Sequence, residues 1–232
     1  MKVVLFIVVA LFAMWLLWPV SSVFSEDSSN SPTPQQILDE LMASNENFSN
    51  CKSCVSKATY PNYEKVEFVH PDIIVFSCSE ALPDPHWIFD KPFGRIASVR
   101  NMGNIISIAG MTPNSVELGS IEYAVSEQGV KVVIVLGHKR CSIAQSAIND
   151  PSSRGNIPAI YQVLSVAVTA AKRTAGNDSD LILQTSIENN VRNAVLRISH
   201  DNYGLSDLIK EGKLLVVGAM YDPDTKRVEL LK

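Results

Sequence analysis

Four short runs of apolar, mostly β-branched residues constrain the fold of this 232-residue chain more than any other feature. The runs are "DIIVFS" (72–77), "RIASVR" (95–100), "VKVVIVLG" (130–137) and "KLLVVGAM" (213–220). Such runs are typical of strands in a parallel sheet that is covered on both faces. Segments with helical spacing lie between them, and strands that alternate with helices predict an α/β fold. We therefore expect a mostly parallel central β-sheet flanked by helices.

The predicted helices have one apolar face each. They are "QQILDELMASNENF" after Thr33-Pro34, "SVELGSIEYAVSEQG", "CSIAQSAI", "IPAIYQVLSVAVTAAKR", "LQTSIENNVRNAVLRIS" and "GLSDLIKEG". With 46% hydrophobic and 19% charged residues, the chain can bury a sizeable core. The formal charge is -4, and no block of lysine and arginine indicates a nucleic-acid partner.

The N-terminal segment differs from the rest of the chain. Lys2 precedes an apolar run from Val3 to Val20, and small and polar residues follow it. This order predicts a signal peptide over 1–25, a linker over 26–34 and the folded domain over 35–232. The alternative is an uncleaved membrane anchor, because about 18 apolar residues also approach the length of a span. Either way we expect an exported domain, periplasmic or secreted, in a compartment that permits disulfides.

Two predicted strands end in residues that bind soft metals. Cys78 follows the first strand, and "LGHKRC" places His138 just past another strand with Cys141 one turn further on. Functional residues of open α/β sheets gather at the carboxyl ends of the strands. Two thiolates and one imidazole form a tetrahedral Zn²⁺ site with one position left over. A single cysteine at a strand end is more often a buried inert thiol, so the zinc prediction depends on the three residues together.

Several stretches, in this order, resemble the β-class carbonic anhydrases over about residues 36–232. They are "SNENF" (44–48), "CSEAL" (78–82), "PFGRIASVRNMGN" (92–104), "SIEYAV" (120–125), "VLGHKRC" (135–141), "NNVRNAV" (189–195) and "VVGAMYDPDTKRVELL" (216–231). The resemblance implies that Cys78, His138 and Cys141 bind zinc and that the protein interconverts carbon dioxide and bicarbonate. It also implies a homodimer or higher homo-oligomer, in which the N-terminal helix commonly packs on the neighbouring subunit.

Two residues of "CSEAL" depart from the Cys-Ser-Asp-Ser-Arg motif of that family. Glu80 replaces the aspartate, and Leu82 replaces the arginine that restrains it. A free carboxylate beside zinc tends to coordinate it. We therefore hypothesise that Glu80 occupies the fourth position, which would make the site structural, or active only when Glu80 moves away. The alternative is that Glu80 performs the role of the aspartate in a looser pocket.

These departures leave three functional interpretations. The first is a zinc-dependent carbonic anhydrase, with Glu80 and Arg100 as its catalytic residues. The second is a zinc-binding, catalytically silent or impaired relative that acts as a binding or structural protein. The third is a hydrolase of a carbon dioxide analogue such as carbonyl sulfide, with which Leu82 and Met102 are consistent because both are apolar.

Other polar residues have weaker patterns. Arg100 matches the arginine of the family's Arg-Asn segment, although an ordinary ion pair would explain it as well. Arg95 with Asp84 is a further hypothesis for replacing the missing aspartate–arginine pair. His86 is interpreted either as a proton shuttle at the pocket mouth or as a surface histidine. Cys51 and Cys54 are interpreted as a local disulfide, with a redox motif or a second metal site as the alternative.

Overall fold

The computed structural model describes residues 31–50, 70–80, 83–92, 94–107, 115–150, 152–200 and 204–232. Its helices are α1 (Pro34–Asn50), α2 (Pro85–Ile88), α3 (Val116–Gln128), α4 (Ser142–Asn149), α5 (Ile157–Ala175), α6 (Ser179–Ser199) and α7 (Leu205–Lys210). Its strands are β1 (Ile73–Cys78), β2 (Ile96–Asn101), β3 (Val132–His138), β4 (Leu215–Tyr221) and β5 (Val228–Leu230). Residues Thr33–Lys232 form one compact unit.

The strands form one sheet in the order β2-β1-β3-β4-β5. β1 to β4 are parallel, and β5 pairs antiparallel with β4. The predicted α/β fold with a mostly parallel sheet is therefore confirmed. The short strand β5 and the helix α2 were not predicted, because three or four residues carry too little periodicity to reveal an element.

Buried side chains cover both faces of the sheet. All residues of β1 and β3 are buried, and alternate residues of each strand point to opposite faces. One face packs against α3 and α6, and the other packs against α1 and α2. The apolar runs in the sequence follow directly from this, since a strand buried on both faces needs apolar residues at every position.

The apolar face of α1 lies on the sheet of its own chain. Ile37, Leu38 and Leu41 are buried against strand residues such as Ile134. The resemblance had implied a neighbouring subunit as the contact for this face, and within the described residues the chain's own sheet covers it. Asn45 fixes the end of α1, because its amide donates to the carbonyls of Ile88 and Lys226 and accepts from Val228 N–H.

Two glycines allow α6 to approach the sheet closely. A Cβ on Gly137 of β3 would lie 2.6 Å from Val191 Cγ2 and 2.8 Å from Met220 Sδ. A Cβ on Gly218 of β4 would lie 2.9 Å from Val191 Cγ1. Both positions therefore exclude larger side chains, and the first of them directly precedes His138.

Among the described helices, none combines the length and the apolar character that crossing a membrane requires.

Candidate metal centre

The parallel pairing of β1 and β3 brings the predicted ligands to one edge of the sheet. Cys78 is the last residue of β1, His138 is the last residue of β3, and Cys141 directly precedes α4. Together with Glu80 they form a cluster whose ligand atoms all lie within 4.8 Å of one another. Cys78, His138 and Cys141 are buried, and Glu80 is partly buried. The structure thus brings together all four residues that were predicted to bind the metal.

The imidazole of His138 is oriented for metal binding. Its Nδ1 lies 3.0 Å from the Lys139 carbonyl oxygen, a contact that places the proton on Nδ1 and leaves the lone pair on Nε2. Nε2 is buried and has no hydrogen-bond partner among the described residues. A buried polar atom without a partner is costly, and a metal ion at this point would satisfy it.

The two cysteine side chains influence each other's pKa. A hydrogen bond from Cys141 lowers the pKa of Cys78 to about 4, although burial opposes the shift. The same contact raises the pKa of Cys141. Burial lowers the pKa of His138, but the nearby Cys78 side chain outweighs it and raises the value overall. Cysteine ligates metals as the thiolate, and the direction of the shift at Cys78 favours that form.

Glu80 extends from the turn after β1 toward the same point. Its Oε2 lies 3.6 Å from His138 Nε2 and accepts a hydrogen bond of 2.9 Å from the backbone N–H of Ser142. Two ligand atoms that each lie about 2.0–2.2 Å from a tetrahedral zinc ion are about 3.4 Å apart. The carboxylate oxygen therefore already lies at a separation from the imidazole nitrogen that suits a shared metal ion.

Arg100 of β2 holds the backbone of the ligand-bearing turn. Its Nη2 donates to the carbonyl oxygens of Cys78 at 3.1 Å and of Glu80 at 3.3 Å, and its Nε donates to Cys78 O at 3.3 Å. The guanidinium thus contacts main-chain oxygens of the site, and its predicted catalytic role stays a prediction.

The suggested compensation by Arg95 and Asp84 is wrong. Arg95 pairs with Asp72 at 3.3 Å, and Asp84 Oδ1 lies 2.7 Å from His86 Nδ1. His86 is also not a surface residue, since it is 8% exposed. Asp84 caps α2 through the backbone N–H of His86 as well, so it contacts both the backbone and the ring of this buried residue. The shuttle role of His86 stays a prediction.

Three backbone amides at the site were missed as functional groups. Gly103 N–H donates to Cys78 Sγ at 3.2 Å, and Ser142 N–H donates to Glu80. Glu80 N–H also donates to Cys78 Sγ at 3.4 Å. Amide donors have no residue-type signature, although Gly103 has φ +81° and glycine is the residue that tolerates this backbone conformation.

The donor set fits zinc better than other common metals. Two thiols, one imidazole and one carboxylate in a buried cluster match the soft and borderline ligands that Zn²⁺ prefers. The hydrogen bonds that Cys78 Sγ accepts from Gly103 N–H and that His138 Nδ1 donates to Lys139 O supply the outer partners that orient such ligands.

Cys51, Cys54, Leu82 and the N-terminal segment 1–30 lie outside the described residues, so the predictions about them stay predictions.

These features define a class: an α/β protein with a candidate metal centre of cysteine, histidine and carboxylate at the carboxyl edge of a parallel sheet. The model of the carbonic anhydrase family matches residues 73–228, which include every residue of the cluster. The chain belongs to the β-carbonic anhydrase family.

Individual relatives agree with this assignment. The chain is 30% identical to carbonic anhydrase 2 of Mycobacterium tuberculosis over 164 residues, which cover 69% of the chain and 74% of that protein. It is 26% identical to a carbonic anhydrase of Synechococcus elongatus over 163 residues, or 68% of the chain and 59% of that protein.

Solved structures support the fold. A tetrameric β-carbonic anhydrase of Sordaria macrospora covers 70% of this chain at a TM-score of 0.62 and 23% identity, with 81% of its own chain matched. The β-carbonic anhydrase CcaA covers 85% of this chain at a TM-score of 0.63 and 20% identity, with 94% of its own chain matched.

Proposed function

We propose that this protein is a zinc-dependent carbonic anhydrase that interconverts carbon dioxide and bicarbonate. The observation that carries the proposal is the convergence of Cys78, His138 and Cys141 at two neighbouring strand ends, within a chain of the β-carbonic anhydrase family. The buried and unpartnered Nε2 of His138 supports it further.

Each residue of the centre has a distinct part in the proposed reaction. Cys78, Cys141 and His138 would hold the metal, and Glu80 would lie beside the fourth position. Zinc, when bound, lowers the pKa of a coordinated water to about 7 and so makes a nucleophile available at neutral pH. Arg100 fixes the turn that carries Cys78 and Glu80 through its bonds to their carbonyl oxygens. The Glu80 carboxylate, 3.6 Å from His138 Nε2, is a group that can accept or orient a proton at this position.

The second candidate function is a zinc-binding relative with little or no turnover. Its support is the position of Glu80, whose Oε2 lies 3.6 Å from His138 Nε2 and at a separation suitable for a fourth ligand. A protein whose fourth position is permanently occupied would bind zinc and hydrate carbon dioxide slowly. The two candidates share the metal and differ only in whether Glu80 leaves it.

The test is zinc content together with the rate of carbon dioxide hydration across pH, on the zinc-loaded protein. We expect one zinc per chain and a hydration rate that His138→Ala abolishes along with the zinc. The double variant Glu80→Asp with Leu82→Arg restores the family's motif residues and serves as the comparison. If wild type binds zinc but is at least a hundredfold slower than the double variant, the silent interpretation replaces the proposal. Carbonyl sulfide, assayed on the same preparation, tests the remaining substrate class.

We further propose that the protein is exported and works as a homo-oligomer. The proposal for export rests on the sequence of residues 1–25, and mass spectrometry of the mature chain tests for cleavage after Ser25. The proposal for an oligomer rests on family membership and on the tetrameric relative of Sordaria macrospora. A monomeric mass in light scattering would overturn the second proposal.

A further inference from the structure

We infer that the backbone N–H of Ser142 is a positioning group that holds the Glu80 carboxylate in the fourth ligand position. This inference rests on the proposed zinc site. It names the group that would control access to the metal in that site. The contact between α4 and Glu80 would set how readily an outside ligand, and therefore substrate, reaches the metal. Ser142 would act through its main chain, so its side chain can vary without loss of this effect.

The position of one oxygen atom carries the inference. Oε2 of Glu80 accepts from Ser142 N at 2.9 Å and at the same time lies 3.6 Å from His138 Nε2. A carboxylate oxygen has two lone pairs, so one can accept the N–H while the other faces the metal. The hydrogen bond therefore holds the carboxylate at the ligand position and does not draw it away from the site.

The main chain of Glu80 is held as firmly as its carboxylate. Arg100 donates to the carbonyl oxygen of Glu80 at 3.3 Å and to that of Cys78 at 3.1 Å. Glu80 N–H donates to Cys78 Sγ. The bonds from Arg100 to the backbone and from Ser142 to the carboxylate therefore both hold Glu80 at the cluster.

Cations near the site are paired with other groups. Lys139 binds Asp222 and Arg140 binds Asp224, each at 2.8 Å. Within the described part of the chain, no lysine or arginine side chain forms an ion pair with Glu80. The N–H at the start of α4 is thus the main donor to the carboxylate, and the positive end of the helix dipole strengthens this bond.

Ser142→Pro removes this single donor at a position where proline is compatible with the helix. Ser142 is the first residue of α4, the helical position that proline favours. Cys141 has φ -64° and ψ 115°, an extended conformation that suits the residue before a proline. Ser142→Ala keeps the N–H and is the matched reference. An amide-to-ester replacement at position 142 removes the same N–H without a ring, in case the proline variant does not fold.

The readout is azide binding to the cobalt(II)-substituted protein, followed by visible absorption. Azide needs the fourth position, so we expect Ser142→Pro to bind azide at least tenfold more tightly than Ser142→Ala, because the carboxylate competes less. Equal or weaker azide binding in both donor-deleted proteins would overturn the inference.

A double-mutant cycle tests whether the effect passes through Glu80. In a Glu80→Ala background, Ser142→Pro should change azide affinity by less than twofold, because the competing carboxylate is gone. A tenfold change that persists in this background would also overturn the inference. The assay needs metal binding but no turnover. A protein that binds cobalt and azide as expected yet does not hydrate carbon dioxide would contradict the proposed function and leave this inference supported.

Discussion

The two strand ends that supply the candidate metal ligands are held in different ways. At the end of β3, His138 and Cys141 are fixed by nearby chain: Nδ1 bonds the carbonyl of the next residue, and Cys141 begins the turn into α4. At the end of β1, Cys78 and Glu80 are fixed by Arg100, Gly103 and Ser142 from three other segments.

This difference decides which end tolerates change in sequence. The β3 end depends on local spacing and on close packing beneath Gly137, so its motif has little room to vary. The β1 end depends on hydrogen bonds, several from main-chain groups that any residue supplies. Glu80 and Leu82 therefore differ from the family's motif at the end where the ligand geometry is maintained from outside the motif.

The largest effect is expected from a substitution that disrupts the packing at the β3 end. Gly137→Ala places a Cβ 2.6 Å from Val191 Cγ2 and 2.8 Å from Met220 Sδ, so α6 must move away from the sheet. We expect the free energy of unfolding to fall by about 3 kcal/mol, measured by urea denaturation of the metal-free protein.

Gly119→Ala is the matched control for that substitution. Gly119 lies in α3, where an added Cβ meets nothing within 4 Å among the described residues. Alanine should stabilise the helix by about 0.5–1 kcal/mol, because glycine loses more backbone entropy on folding. A Gly137→Ala protein within 1 kcal/mol of wild type would show that the close contact relaxes and that packing does not fix this strand end.

The same difference explains what the sequence could predict. The four long strands and the clustering of Cys78, His138 and Cys141 were predictable, because parallel strands bring their carboxyl ends to one edge. The helix α6 begins at Ser179, earlier than its apolar periodicity suggested, because Asp178 caps it through the N–H groups of Asp180 and Leu181.

The hydrogen bonds at the β1 end were not predictable from residue type. Gly103 and Ser142 contribute only main-chain N–H groups to the site, and these become donors through the folded positions of a loop and a helix start. His86 was expected at the surface because a single histidine carries no periodic signal, and its ring is buried with Nδ1 in contact with Asp84.

A smaller effect is expected from loosening the β1 end. Arg100→Leu removes the bonds to the carbonyl oxygens of Cys78 and Glu80, so we expect zinc affinity to fall by about 10–100-fold. Competition with a chromophoric chelator measures this change. Arg95→Leu is the control, because that side chain is 51% exposed and pairs only with Asp72 among the described residues. Equal zinc affinities in the two variants would mean that the turn after β1 keeps its conformation without the hydrogen bonds from Arg100.

The smallest effect concerns the ion pair that joins β3 to β4 beside the site. Lys139 Nζ lies 2.8 Å from Asp222 Oδ2, and this contact lowers the pKa of Asp222 to about 2. We expect Asp222→Asn to lower the free energy of unfolding by about 1 kcal/mol at pH 7, since half-exposed Lys139 is partly screened by solvent.

The pH dependence of this pair has a definite sign. The folded-state pKa lies below the unfolded value of about 3.9, so the pair stabilises the protein above about pH 4, and this contribution disappears as the pH falls toward 2. Urea denaturation of wild type and Asp222→Asn at pH 7, 4 and 2 measures the change. Asp224→Asn, which breaks the exposed pair with Arg140, should cost less than about 0.5 kcal/mol. A difference between wild type and Asp222→Asn that stays constant down to pH 2 would mean that the carboxylate charge does not stabilise this edge, since asparagine keeps the oxygen that accepts from Asp224 N–H.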